Sequence, residues 1–306
     1  MNTPILQPGQ LEPAAGEMPE LRLPRADLFL TRAQRFRQLA ENHALADWLR
    51  LLADLSQAQQ AACDGLDTLH PPSAEVLTHC RDYAMPPLPS PGSYRDPVWR
   101  DVLRQLAGAL RDSAPPPLQT ALERIDRVTP EWLENQADLL LDGRTQGLDL
   151  ALAPFIGAAL QTCWTRLASQ LRADQVARPA HPGLCPVCGS PPVASVIRTG
   201  GSENGLRYLH CSLCASEWHV VRAKCSHCDN SKDIAYYSVE GGNDAVRAES
   251  CPECKSYLKV MYQERDPLVD PVADDLASFA LDLLMGETGV ARSGSNLLLT
   301  AGEDAA

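Results

Sequence analysis

Eight of the eleven cysteines lie between positions 185 and 254, in four Cys-x-x-Cys pairs: Cys185/Cys188, Cys211/Cys214, Cys225/Cys228 and Cys251/Cys254. The last two pairs repeat the first two at an interval of 40 residues, so 183–222 and 223–262 form a tandem repeat whose halves each read C-x2-C-x22-C-x2-C. Arg207 with Arg247, Asn204 with Asp244 and Gly201 with Gly241 extend the match beyond cysteine. Two cysteines separated by two residues curl a tight knuckle around one cation. A second knuckle, brought back by a hairpin, completes a tetrahedral thiolate site. The intervening residues suit two short strands and a turn. Strands are expected at 193–198 and 206–210 in the first repeat and at 234–239 and 245–249 in the second. A further strand follows each second knuckle, at 217–222 and 257–262. Five of the seven tyrosines lie in this block, as suits small, half-exposed sheets. A unit of ~40 residues has too little core to fold without a metal or disulfide, so the cation is expected to be part of each ribbon's stability.

Other uses of these cysteines fit less well. Disulfide-stapled hairpins belong to oxidising compartments. A thioredoxin-type Cys-x-x-Cys opens a helix in a larger α/β domain and does not recur four times on a fixed period. Crossed ligation between Cys211/Cys214 and Cys225/Cys228 is open because ten residues separate them; the period favours ligation within each repeat. Tetrahedral sulfur coordination suits both iron and zinc. His210, His219 and His227 lie near the ligands but are surplus to two complete four-thiolate sets.

The remaining 226 residues read as mostly helical outside a proline-rich tail at 1–24. Apolar residues recur at three- and four-residue steps from Phe36 to Leu55, and 153–173 is apolar on most faces, as in a buried central helix. Asp96-Pro97, Thr129-Pro130 and Asp270-Pro271 read as helix starts, a capping oxygen followed by proline at the first helical position. Residues 71–92 carry six prolines and read as a loop. The last helix is expected over 270–285, with Val272, Leu276, Phe279, Leu283 and Leu284 on its apolar side. Cys63, Cys80 and Cys163 read as small apolar packing residues. The domain plan is thus a tail at 1–24, a helical domain at 25–178, ribbons at 183–222 and 223–262, and a helix with an acidic tail at 267–306. The fold class is α+β multidomain: an all-α amino-terminal domain, two tandem four-cysteine, zinc-ribbon-like metal domains and a short carboxyl-terminal helix.

Charge and composition narrow the function. The net charge of −12 argues against a non-specific nucleic-acid binder, and the ribbon block balances eight basic against eight acidic side chains. From Glu264 onward nine acidic residues face two arginines, a solvated face or a contact surface for a basic partner. The amino end has no basic start followed by an apolar stretch and no twin arginine, and the run at 148–160 is shorter than the ~20 residues of a membrane span. The chain reads as soluble and cytoplasmic, with no membrane insertion. No phosphate-cradling loop, nucleophile elbow or HExxH occurs, and a cation saturated by four cysteines has no open position for Lewis-acid catalysis, so no catalytic residue is assigned.

The knuckle Cys185-Pro-Val-Cys-Gly189 resembles rubredoxin; the other three end in Ala215, Asp229 and Lys255 in place of that glycine. Leu184-Cys-Pro-Val-Cys-Gly-Ser190, the run 206–222 (LRYLHCSLCASEWHVVR), Asp270-Pro-Val-Ala-Asp-Asp-Leu-Ala-Ser278 and Asn42-His-Ala-Leu-Ala-Asp-Trp-Leu-Arg50 resemble the formate dehydrogenase accessory protein FdhE family. The resemblance covers residues 25–295. It implies two rubredoxin-like ribbons with Cys185, Cys188, Cys211, Cys214, Cys225, Cys228, Cys251 and Cys254 as ligands, and iron ahead of zinc. It also implies a non-enzymatic, cytoplasmic assembly factor that contacts the catalytic subunit of respiratory formate dehydrogenase. Two other classes stand beside it. A rubredoxin-like electron carrier gives no role to the helical domain, and a zinc-ribbon nucleic-acid module calls for a basic groove.

Overall fold

The computed structural model describes residues 18–90, 92, 95–179 and 181–299. Seven helices precede the cysteine-rich block: α1 (Leu28–Leu39), α2 (Ala46–Asp64), α3 (Ala74–Asp82), α4 (Val98–Arg111), α5 (Pro116–Arg124), α6 (Pro130–Leu141) and α7 (Ala153–Ser169). Helix α7 is the hub. Fourteen of its seventeen residues are buried, and α2, α4 and α6 pack around it, as a helix apolar on most faces requires. Thr129 caps α6 by accepting from the Trp132 amide, with Pro130 at the first position, and Asp96 accepts from the Val98 amide at the start of α4. Helix α3 interrupts the expected loop at 71–92. Its prolines cluster at 71–72 and 86–91, leaving a proline-free stretch that Ser73 caps through the Val76 amide.

The strands are β1 (Leu21–Arg22), β2 (Pro192–Ile197), β3 (Arg207–Cys211), β4 (Glu217–Val220), β5 (Ala235–Tyr237), β6 (Val246–Cys251), β7 (Ser256–Tyr262) and β8 (Ala291–Arg292). Each repeat forms an antiparallel three-stranded unit close to the places expected from the sequence. The two units join into a single sheet of order β1-β4-β3-β2-β7-β6-β5, with β8 on β7. The join is parallel: Ser195, Val196 and Ile197 of β2 face Val260, Met261 and Tyr262 of β7. Strand β1 adds to the far edge of β4 and lies within the expected tail; residues 1–17 of that stretch lie outside the described residues.

The carboxyl-terminal helix is two: α8 (Ala273–Ala277) and α9 (Phe279–Glu287), broken at Ser278. The cause is tertiary. The Lys259 ammonium on β7 donates to the carbonyls of Asp275 and Ser278, ending the helical ladder there. The second half is thereby turned, so that Leu281 and Met285 are buried while Leu283 and Leu284 face solvent, reversing the expected apolar side. Asp270 caps α8 through the amides of Val272 and Ala273.

The acidic end is not a free contact surface among the described residues. Asp270 pairs with Arg32, Asp266 and Asp274 with Arg35, and Asp275 and Asp282 with Lys259 and Arg292. Five of the nine acidic groups therefore stitch the end of the chain to α1 and β7. Glu303 and Asp304 lie outside the described residues.

Candidate metal centres

Each repeat brings its four cysteines together. Cys185, Cys188, Cys211 and Cys214 form one cluster and Cys225, Cys228, Cys251 and Cys254 the other; within each, all sulfurs lie within 4.8 Å of one another. In the first cluster Cys188 Sγ lies 3.3 Å from Cys211 Sγ and Cys185 Sγ 3.6 Å from Cys214 Sγ. In the second, Cys228 Sγ lies 3.6 Å from Cys251 Sγ and Cys225 Sγ 3.7 Å from Cys254 Sγ. Four thiolates at ~2.3 Å from one tetrahedral ion sit roughly 3.8 Å apart, so both donor sets fit a metal of the zinc or iron kind. The clusters form within the repeats. The crossed arrangement is not adopted, because β2–β3 and β5–β6 each return a second knuckle to its own first.

The four knuckles share one backbone device. Gly189, Ala215, Asp229 and Lys255, each just after a knuckle's second cysteine, have φ of 77°, 57°, 61° and 50°. This left-handed turn lets the Gly189 amide donate to the Cys185 carbonyl at 2.8 Å and the Asp229 amide to that of Cys225 at 3.1 Å. It also aims amides at sulfur: those of Leu213 and Cys214 approach Cys211 Sγ at 3.4 Å, and that of His227 approaches Cys225 Sγ at 3.4 Å. Such donors favour the charged thiolate. Burial works against charge on Cys251, but the Cys254 amide and the Asn230 side chain bring its thiol down to about 6. Cys188 is likewise held well below the usual thiol range, against its burial, by the neighbouring sulfurs and Ser190. Burial pushes Cys225 up to about 12, and Cys185 and Cys211 upward as well.

The clusters differ in their surroundings. All four cysteines of the first are buried, whereas in the second Cys228 is exposed and Cys254 half-buried. The segment after α3 supplies the cover. Leu88 and Ser90 amides donate to the carbonyls of Val187 and Cys188, and the Ser90 and Ser190 hydroxyls lie 2.9 Å apart. Gln161 of α7 donates to the Ser212 carbonyl inside the other knuckle. On the second cluster, Cys225 borders a cleft of about 550 Å³ whose apolar wall includes Leu21, Val176, Trp218 and Val221.

The nearby histidines take other work. His210 places Nδ1 3.1 Å from a Glu217 carboxylate oxygen, His219 meets Tyr208 edge to face, and His227 is exposed. Glu217 is buried; His210 and Arg198 outweigh that burial and hold its carboxyl at about 2. Ser216 and Ser256 are participants that the cysteine spacing does not show. Their hydroxyls lie 3.3 Å from Cys214 Sγ and 3.0 Å from Cys254 Sγ. Their own 40-residue interval was the available signal. Cys63 and Cys163 lie apart from both clusters, and burial raises both thiols, Cys63 to about 11.

Comparisons with known proteins agree along the whole chain. Residues 18–181 match the family described as FdhE, N-terminal, residues 184–222 FdhE, central domain, and residues 223–299 FdhE, C-terminal domain. A protein FdhE homolog of Pseudomonas aeruginosa is 45% identical, covering 99% of each chain, and one of Stutzerimonas stutzeri is 42% identical over 98% of this chain and 99% of its own. The crystal structure of the FdhE protein from Pseudomonas aeruginosa superposes with a TM-score of 0.81 at 42% identity, covering 93% of this chain and all of that one. On sequence across its three parts and on structure, this chain belongs to the FdhE family.

Proposed function

We propose that this protein is a non-enzymatic accessory factor for formate dehydrogenase maturation, binding the catalytic subunit in the cytoplasm through its ribbon module. The observation that carries the reading is the pair of four-sulfur clusters, held on a sheet that is itself welded to a helical body. Cys185, Cys188, Cys211 and Cys214 would hold one ion, and Cys225, Cys228, Cys251 and Cys254 another. Four thiolates saturate a tetrahedral ion, leaving no position for substrate, which supports a binding role over hydrolytic chemistry. Iron is the preferred metal, with zinc as the alternative. Iron in such a site changes charge by one unit with little change in geometry, which suits reporting of redox state. The family name supports formate dehydrogenase as the client. Among the described residues no helix is long and apolar enough to cross a membrane.

Two measurements test this. Metal analysis with an absorption spectrum of anaerobically purified protein should give two ions per chain and the red colour of iron–thiolate; a colourless protein with two zinc ions would leave a scaffold without redox function. Cys188→Ser and Cys228→Ser should each abolish co-purification with the formate dehydrogenase catalytic subunit. Undiminished co-purification would remove the ribbons from the interaction.

A further inference from the structure

The tandem repeat contains one sheet edge that is used in its first half and unused in its second. At the outer edge of β2, Ser195, Val196 and Ile197 pair in parallel with Val260, Met261 and Tyr262 of β7. Forty residues on stand Ala235, Tyr236 and Tyr237, which are the whole of β5. Strand β5 pairs with β6 on one side, and among the described residues no strand pairs with the other. The same edge of the same unit thus accepts a parallel strand in one repeat and ends the sheet in the other. Burial follows: β2 is buried along its length, while Tyr236 and Tyr237 are 45% and 44% exposed.

An open edge offers a row of backbone donors and acceptors to any extended chain, and proteins that must keep such an edge free blunt it with lysine, proline or a bulge. The run 234–239, Ile-Ala-Tyr-Tyr-Ser-Val, has no charge and no proline. Successive side chains alternate in face, so the two tyrosines flank the edge from opposite sides. The Tyr236 hydroxyl donates to Glu249 on β6 at 2.9 Å, which anchors that ring on the sheet. An incoming strand would meet one aromatic ring on each face, a setting that favours β-branched and aromatic partners over charged ones.

We propose that the outer edge of β5 is a docking strand that takes an extended, uncharged segment of the partner in parallel, as a ninth strand, in the way β2 takes β7. The β2–β7 join is itself three residues long, the full length of β5, so the edge offers as much pairing as the fold already uses there. The edge belongs to the same ribbon as the exposed Cys228. The inference rests on the reading that this chain binds the formate dehydrogenase catalytic subunit, and it names the strand that does so.

Hydrogen exchange on the metal-loaded, full-length protein, with and without the purified catalytic subunit, tests it. Those amides of 235–237 that face away from β6 should slow by at least about tenfold in the complex, as strand addition pairs them. Tyr237→Lys, which places a charge on the edge without touching a cysteine, should weaken binding by about tenfold with metal content and melting temperature retained. A complex in which 235–237 exchange at the free rate, or in which the lysine variant binds unchanged, overturns the docking strand while leaving the accessory role standing. Absence of any complex with the unsubstituted protein overturns both.

Discussion

Ala215 and Lys255 occupy a backbone region that costs a side chain roughly 1–2 kcal/mol, yet they turn their knuckles just as Gly189 does. Glycine at one knuckle in four looked like a departure from the rubredoxin pattern. The fold reaches the left-handed turn regardless, because strand pairing and the knuckle's own hydrogen bonds hold the conformation. Ala215→Gly should therefore stabilise the protein by about 1 kcal/mol, read as a rise in the denaturant midpoint at fixed metal load. A different glycine marks a true close approach. A methyl on Gly183 would sit 2.3 Å from the Ser226 carbonyl oxygen, where the start of the first ribbon crosses the second repeat's first knuckle. Gly183→Ala should force that knuckle outward and weaken metal retention at the second cluster alone, measurable as one ion lost per chain on dialysis.

Two ribbons with the same spacing produce clusters of unequal accessibility. Chelator or thiol reagent must open the 86–90 segment to reach the first, whereas the second already exposes Cys228. Metal release should be biphasic, one equivalent leaving at least about tenfold faster than the other, with Cys228 the first thiol alkylated; a single phase would contradict this. The strands of both ribbons were legible from the spacing between knuckles and from turn residues, because a hairpin's signals are local. Helix α3 was hidden by counting prolines without noting where they fall, and the break at Ser278 was not legible at all. It depends on Lys259, whose ammonium reaches the helix from another element.

The helical body, ribbons and carboxyl-terminal helices share one hydrophobic core, and buried ion pairs fasten the last part to the first two. Lys259 is fully buried between Asp275 and Asp282, and Arg35 is clasped by Asp266 and Asp274. Removing one member strands uncompensated charge, so Lys259→Ala should cost about 3–5 kcal/mol in chemical denaturation and loosen α8 and α9, seen as faster hydrogen exchange there. An acidic tail read for its net charge suggests an exposed field. In the folded chain five of the tail's carboxylates are paired, and Arg32, Arg35 and Lys259, which lie outside the tail, are partners that nothing in its composition announces.

The cysteine spacing is a covalent fact about short segments, and it was enough to show that the unit occurs twice and that its sulfurs are available in fours; the hairpins then decided that each four come from one repeat. Whether a cluster is covered, which sheet edge is taken and which left open, and where the last helix breaks are settled by contacts between segments remote in sequence. Those contacts trade burial against hydrogen bonding across the whole fold. They set two halves that share a cysteine spacing in unlike surroundings, with the first cluster fully covered and the second leaving Cys228 exposed.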